Sequence, residues 1–203
     1  LAPKWLQYKA CGNVIDGTRF ICFKVPLKKV IDSLYKLCIF LFRWDISELL
    51  RKIPNLGAVI DLTNTHRYYD PRVKHGVIHK KILMPGRLLP PENRVEFMNT
   101  VDELLEQNYQ LIGVHCTHGL NRTGYMVCRY MRDRLGVPPM VAIKSIRNIS
   151  NFIYVEHYPK IHEVKPLMSK SRWLISPILQ SWWPIPRHLA SQRTQLTFCK
   201  KFT

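Results

Sequence analysis

The stretch from His115 to Gly124 constrains this chain more than any other. It reads His-Cys-Thr-His-Gly-Leu-Asn-Arg-Thr-Gly and follows the apolar run Leu111–Val114. An apolar run, a loop and an amphipathic segment in this order predict a buried strand that leads into a helix. A loop of five residues between the cysteine and the arginine lets backbone N–H groups converge beside the positive end of that helix. The sequence therefore predicts an anion site that fits a tetrahedral phosphate.

Two side chains supply the chemistry that this site needs. Cys116 stands at the start of the loop, where the surrounding amides favour thiolate over thiol and make the sulfur a nucleophile. Arg122 follows six positions later, and its planar guanidinium can bind two phosphate oxygens. A buried structural cysteine is the alternative interpretation of Cys116. The preceding strand and the arginine together argue against that alternative.

The residues next to Cys116 and Arg122 are predicted to position the loop or to bind the phosphate. Thr123 is predicted to donate a hydroxyl hydrogen bond to the Cys116 sulfur, and His115 is predicted to orient the loop rather than to act as an acid. His118 and Asn121 either shape the loop or contact the substrate, and both interpretations stay open. The predicted phosphate-binding residues of the loop are Thr117, His118, Gly119, Leu120 and Asn121.

These ten positions resemble the signature of the cysteine-dependent phosphatase superfamily. The residues Thr117-His118 before the glycine and Asn121 before the arginine resemble its RNA 5′-triphosphatase branch. That branch includes the triphosphatase domain of animal mRNA capping enzymes, the stand-alone RNA-associated dual-specificity phosphatase and the baculovirus RNA phosphatase. Further matching stretches lie at Gly17–Leu27, Gly57–Thr65, Arg67–Tyr69 and Leu89–Glu92. The resemblance covers roughly residues 4–162 and implies a protein-tyrosine-phosphatase-like α/β fold.

Hydrophobic periodicity predicts alternating strands and helices without reference to any relative. The predicted strands are 19–25, 58–62, 77–83 and 111–114, and the predicted helices are 44–52, 93–107, 123–135 and 139–148. This alternation indicates a central, largely parallel sheet flanked by helices. A ligand loop is then expected beyond the carboxyl end of a central strand.

The composition changes after residue 164. Residues 165–203 contain seven Lys or Arg and no Asp or Glu, together with three tryptophans and four prolines. We therefore expect a catalytic domain at residues 1–164 and a basic, poorly ordered tail at residues 165–203. The tail is either a nucleic-acid clamp, in which tryptophans stack on bases, or an extension without a role. The second interpretation is favoured.

The formal net charge of +17 predicts polyanionic partners, of which nucleic acid is favoured over an anionic membrane. Together with the resemblance, this charge implies RNA 5′ tri- or diphosphate ends as the substrate. The protein is also expected to be a monomer and not to bind membranes. Six cysteines without framework spacing indicate a reducing, intracellular compartment. A nuclear location is implied by the resemblance alone. No metal or cofactor is expected, and His75 and His79 are interpreted as surface residues.

The kind of leaving group can be inferred from the lack of a general-acid aspartate at its usual position. Many members of the superfamily keep an aspartate roughly thirty residues before the cysteine, but here Leu83–Pro90 contains no carboxylate. The remaining candidates are Glu92, Asp61 and Asp70. A tyrosine leaving group, with a pKa of about 10, needs a proton, whereas a phosphate with a pKa of about 6 leaves with little help. The chain is therefore expected to favour a 5′-triphosphate or diphosphate over a phosphoprotein.

Arg67 is the favoured basic contact for the RNA end, since it matches the Arg/Lys-Tyr-Tyr pattern of the branch. Arg19, Lys24 and Arg87 are weaker candidates, and for each of them solvated surface charge is the favoured interpretation. The chain departs from the branch at Val155, where its relatives carry a basic residue. The predicted function is an RNA 5′-polyphosphatase that acts on the γ-phosphate, and the sequence leaves open whether the β-phosphate is also removed. The alternatives are a dual-specificity protein phosphatase and a weakly active RNA-binding pseudophosphatase.

Overall fold

The computed structural model describes residues 5–6, 8–28, 44–71, 76–85 and 91–149. Five strands lie within these ranges: β1 (Cys11–Val14), β2 (Phe20–Lys24), β3 (Leu56–Asp61), β4 (Ile78–Lys81) and β5 (Leu111–Cys116). They form one sheet in the order β1-β2-β5-β3-β4. β1 runs antiparallel to β2, and the other neighbouring pairs are parallel.

The central strand β5 explains where a site must lie. It pairs with β2 on one side and with β3 on the other. From its second residue onward β5 is buried, as an apolar strand covered on both faces must be. Because β2, β3 and β4 run parallel to β5, all four carboxyl ends meet at one edge of the sheet. A ligand loop in such a sheet lies at this edge.

Helices cover both faces of the sheet. They are α1 (Ile46–Lys52), α2 (Pro91–Gln107), α3 (Asn121–Asp133) and α4 (Pro139–Ile149). On one face the sheet packs against α2, α3 and α4 through side chains such as Phe97, Met126 and Ile146. On the other face Trp44 and Leu49 pack against the sheet. The predicted α/β class is therefore confirmed.

The structure shows where α1 and α3 begin. Asp45 caps α1 by accepting a hydrogen bond from the backbone N–H of Glu48 at 2.9 Å. The α3 helix begins at Asn121, two residues earlier than predicted, so that Arg122 lies in its first turn. Every residue from Thr123 to Met131 is buried, because α3 lies between the sheet and its neighbouring helices.

Several predictions fall outside the described residues. They are the boundary at 164/165, the tail at 165–203, Arg87, His75 and the departure at Val155. These stay predictions. Among the described residues, no helix combines the length and the apolar character needed to cross a bilayer.

Candidate active site

The loop that follows β5 is built around one glycine. Cys116 is the last residue of β5 and is only 3% exposed, and α3 starts five residues later. Gly119 has a φ of 69°, in the left-handed region where side chains are disfavoured. A Cβ at this position would also clash with the backbone of Phe23 and lie 2.8 Å from the Lys24 nitrogen. The loop therefore lies directly against the end of β2, and only glycine fits there.

The guanidinium of Arg122 is positioned by strand ends on the far side of the loop. Its Nη1 donates to the carbonyl of Leu62 at 2.9 Å and to that of Met84 at 2.8 Å, and its Nη2 donates to Thr117 Oγ1 at 3.1 Å. These bonds use three of the five guanidinium N–H donors. Within the described part of the chain, the Nε–H and one Nη2–H have no partner. Two donors of a fixed guanidinium are thus left for phosphate oxygens.

The hydroxyl of Thr123 does not behave as predicted. Thr123 is fully buried in the first turn of α3, and its Oγ1 has no hydrogen-bond partner among the described residues. The predicted bond to the Cys116 sulfur is therefore not made in this structure. A buried hydroxyl without a partner costs free energy, and such atoms are rare in proteins.

The remaining loop residues differ in exposure. Asn121 is exposed, whereas Leu120 and Thr117 are half-buried. The ring of His118 packs edge-on against Tyr8, with 5.8 Å between ring centroids. This contact ties the loop to the N-terminal segment and supports a loop-shaping role for His118.

His115 lies entirely within the protein, immediately before the cysteine. Its Nε2 is 2.8 Å from the Tyr69 hydroxyl, and its Nδ1 is 3.3 Å from the carbonyl oxygen of Cys116. Phe23 stacks on its ring. Burial lowers the pKa of His115 to about 4, although the Asp61 carboxylate opposes the shift. His115 is therefore neutral at neutral pH and is placed to orient the loop.

Asp61 was a candidate general acid, and its surroundings argue against that role. Its Oδ2 accepts a hydrogen bond from Lys81 Nζ at 2.8 Å, and its Oδ1 accepts two from Thr63, each at 2.8 Å. Burial raises the pKa of Asp61, but His115, Lys81 and Thr63 outweigh it and hold the pKa below its usual value. The group is thus a carboxylate at neutral pH. The other candidates, Asp70 and Glu92, are exposed.

The basic residues predicted to bind the RNA end differ in exposure and location. Arg67 is exposed on the loop after β3, with its guanidinium 5.3 Å from the centroid of the Tyr68 ring. The Tyr68 carbonyl also accepts a hydrogen bond from the Lys28 backbone at 2.7 Å, which joins this loop to the segment after β2. Both segments follow strands whose carboxyl ends lie beside the phosphate loop. Arg67 remains a substrate-binding candidate.

Arg19 and Lys24 are wrong as RNA contacts. Arg19 lies at the opposite edge of the sheet and donates to the carbonyls of Leu105 and Asn108 near the end of α2. Lys24 is 4% exposed, and its Nζ donates to the carbonyls of Trp5 at 3.1 Å and Tyr8 at 3.0 Å. Burial lowers the pKa of Lys24 to about 8. Lys24 is buried, and the half-buried Arg19 lies at the end of the sheet away from the phosphate loop, so neither side chain is placed to bind the RNA end.

The site also contains residues that the sequence prediction missed. Tyr69 is buried, and its hydroxyl lies 3.0 Å from His79 Nε2. The side chain of His79 is only 19% exposed, so its interpretation as a surface residue is wrong. The one available signal was the Arg67–Tyr69 match, from which only the arginine was assigned a role.

Comparison with known proteins agrees with this geometry. A family model described as a polymorphic toxin system DSP-PTPase phosphatase matches residues 45–134. A protein of Orgyia pseudotsugata multicapsid polyhedrosis virus whose name describes it as a tyrosine-protein phosphatase is 51% identical over 148 residues, which are 69% of this chain and 64% of that protein. The tyrosine-protein phosphatase of Autographa californica nuclear polyhedrosis virus is 45% identical over 144 residues, which are 69% of this chain and 84% of that protein.

The human RNA/RNP complex-1-interacting phosphatase is 41% identical over 150 residues, which are 71% of this chain. The chain spans only 46% of that protein's length. Identity at this level over about two thirds of the chain shows that it belongs to the cysteine-dependent phosphatases of the dual-specificity and protein-tyrosine type.

Proposed function

We propose that this phosphatase is an RNA 5′-polyphosphatase, which removes the γ-phosphate of RNA 5′ ends; label at the β-phosphate tests whether a second removal follows. The observation that carries the proposal is the state of Asp61. Its oxygens accept hydrogen bonds from Lys81 and Thr63, so the group is held as a carboxylate. A carboxylate held in this way cannot give a proton to a leaving group.

Because Asp61 is not poised as an acid, the site favours leaving groups that need no proton. A tyrosine phenolate has a conjugate acid with a pKa of about 10 and leaves slowly without protonation. The phosphate released from a phosphoanhydride has a pKa of about 6 and leaves readily as an anion. The net charge of +17 supports the same substrate class, because it attracts a polyanionic chain. The name of the human relative, which refers to an RNA/RNP complex, is in accord with this class.

The proposed reaction has two steps. The Cys116 thiolate attacks the terminal phosphorus, the bond to the bridging oxygen breaks, and the shortened RNA leaves with that oxygen. Water then attacks the cysteinyl-phosphate, releases inorganic phosphate and restores the thiol. In both steps Arg122 and the loop amides stabilise charge on the non-bridging oxygens. His115 keeps the loop oriented, and Arg67 is proposed to contact the RNA end.

The test measures phosphate release from two substrates under one condition. RNA labelled at the γ- or β-phosphate of a 5′-triphosphate is compared with a phosphotyrosine peptide. We expect release from RNA to exceed release from peptide by a wide margin. Cys116→Ser should abolish release and retain RNA binding, whereas Cys128→Ser, a buried thiol in α3, should remain active. Turnover that persists in Cys116→Ser would exclude this sulfur as the nucleophile.

A dual-specificity protein phosphatase is the second candidate, favoured by the names of the viral relatives. The variant Asp61→Asn separates the two. If Asp61 acted as a general acid, this change would slow peptide turnover by about 10²- to 10⁴-fold and would spare the triphosphate. Under our proposal it affects both substrates equally. RNA binding without release, unchanged by Cys116→Ser, would instead identify a pseudophosphatase.

A further inference from the structure

We propose that His79 is a positioning residue for the phosphate loop and acts on it through Tyr69 and His115. Three hydrogen bonds form a continuous chain from β4 to the cysteine. His79 Nε2 lies 3.0 Å from the Tyr69 hydroxyl, and this hydroxyl lies 2.8 Å from His115 Nε2. His115 Nδ1 lies 3.3 Å from the carbonyl oxygen of Cys116. The proposal rests on phosphatase chemistry at Cys116 and not on the identity of the substrate.

The direction of every bond in the chain follows from its last acceptor. A carbonyl oxygen can only accept, so His115 Nδ1 must carry the hydrogen. The Nε2 of neutral His115 is then an acceptor, and the Tyr69 hydroxyl must donate to it. The hydroxyl hydrogen is thereby used, so His79 Nε2 must carry a hydrogen and donate to the Tyr69 oxygen. One requirement at Cys116 thus fixes the tautomers of two histidines.

The surroundings maintain these protonation states. Burial lowers the pKa of His115 and raises that of Tyr69, so the ring stays neutral and the hydroxyl keeps its hydrogen. His79 is faced by Asp61 from β3, by Lys81 from its own strand and by His66 from the loop after β3, and burial lowers its pKa. Asp61 faces both rings, with Oδ2 4.0 Å from His79 Nε2 and Oδ1 3.8 Å from His115 Nε2. Its charge does not distinguish the two rings, so the tautomers are assigned from the carbonyl acceptor at Cys116.

The last hydrogen bond of the series, from His115 to the Cys116 carbonyl, explains how His79 can affect the reaction. The Cys116 carbonyl and the Thr117 N–H belong to one planar peptide unit and point in opposite directions. When His115 holds the carbonyl, it also aims the Thr117 N–H, which is the first amide of the phosphate loop. The other side of Thr117 is held by Val25, whose N–H donates to the Thr117 carbonyl at 3.3 Å. Amides fixed in this way stabilise the transition state without reorganising.

The test compares variants that keep or remove the donor at position 79. His79→Leu removes it, whereas His79→Gln places an amide N–H where Nε2 stood. We expect kcat of His79→Leu to fall about fivefold, the value of one neutral hydrogen bond, with KM unchanged. His79→Gln should recover most of this loss. The exposed neighbour His66 supplies the control, and His66→Gln should leave kcat unchanged.

Epistasis and spectroscopy exclude a merely structural role. Because the bonds act in series, the double variant His79→Leu/Tyr69→Phe should lose no more kcat than Tyr69→Phe alone. Ring ¹⁵N spectra should show hydrogen on Nε2 of His79 and on Nδ1 of His115. Equal losses in the Leu and Gln variants, additive losses in the double variant, or hydrogen on Nε2 of neutral His115 would each overturn the proposal.

The kinetic comparison uses both an aryl phosphate and 5′-triphosphate RNA. The two proposals can therefore fail separately. A preference for the aryl phosphate would contradict the RNA assignment and leave the spectra and the epistasis intact. The spectra require no turnover, so they report on His79 even in Cys116→Ser.

Discussion

The backbone of Gly119 lies so close to the carbonyl of Phe23 that a Cβ on residue 119 would clash with it. This contact places the phosphate loop against β2, and the positive φ of Gly119 turns the loop there. We therefore expect Gly119→Ala to displace the loop amides, and a displacement of about 1 Å costs about 100-fold in rate. The measurement is kcat/KM together with the melting temperature.

Gly136 provides a matched control for this variant. It has nearly the same φ, 66°, but a Cβ there would meet nothing within 4 Å. Gly136→Ala should therefore lose about 1 kcal/mol of stability from backbone strain and keep its activity. If the two alanine variants lose the same activity, the contact with Phe23 does not position the loop.

Arg122→Lys should reduce kcat by about 10²- to 10³-fold. A lysine ammonium has three donors on a single nitrogen and no planar fork. It therefore cannot bind the Leu62 and Met84 carbonyls and also bind two phosphate oxygens side by side. Arg51→Lys is the control, since Arg51 pairs with Glu48 on the surface of α1. Initial rates with labelled RNA measure both variants. Retention of more than half the activity by Arg122→Lys would contradict the assigned role.

Thr123→Val separates stability from chemistry. Its hydroxyl is buried without a partner in the structure, so an isosteric valine should leave the free energy of unfolding unchanged or raise it by about 1 kcal/mol. If the hydroxyl serves the Cys116 sulfur during the reaction, kcat should fall at least about tenfold through one lost hydrogen bond to a charged group. Urea unfolding and initial rates measure the two effects. A stable variant with full activity would remove Thr123 from the mechanism.

Acid should destabilise the fold through His115. Its folded pKa of about 4 lies below the unfolded value of 6.5, so between these pH values the unfolded chain binds more protons. The contribution of His115 to the free energy of unfolding has its full value above pH 6.5. It decreases as the pH falls towards 4, by about 3 kcal/mol in total. Asp61, whose folded pKa is also lowered, adds to the loss in acid.

Denaturant unfolding between pH 4 and 7 measures this dependence. His115→Asn keeps a donor near the Cys116 carbonyl but cannot titrate, so its stability should vary less over the same range. Equal pH dependence in the two proteins would show that other groups cause the acid loss.

The phosphate loop could be predicted because its signals are local. Cys116, Gly119 and Arg122 lie within seven residues, next to an apolar strand and a helix start. The α/β class followed in the same way from the alternation of periodic segments. The sequence alone could not show what holds Arg122, because the Leu62 and Met84 carbonyls are 60 and 38 positions away.

The hydrogen bonds beneath the loop were equally inaccessible. Tyr69 and His115 are 46 positions apart and meet only because β3 pairs with β5. His79 reaches them because β4 pairs with β3 on the other side. A histidine in a short polar strand gives no sign of such partners in the sequence.

Charge also misled the sequence prediction at Arg19 and Lys24. Both residues are basic and belong to a stretch that matches the RNA phosphatase branch, so both were candidates for an RNA contact. Their hydrogen bonds to backbone carbonyls depend on where α2 ends and on where Trp5 and Tyr8 lie. Only the assembled structure distinguishes such cations from solvated ones.

The burial of α3 from Thr123 to Met131 has a consequence for protein engineering. Random mutagenesis of residues 123–131 would yield mainly misfolded molecules, since each of these positions is buried. A library intended to alter substrate choice is better directed at the segments that follow β2 and β3, where Lys28 and Arg67 are exposed. Selection there can change what is recognised without disturbing how the phosphate is held.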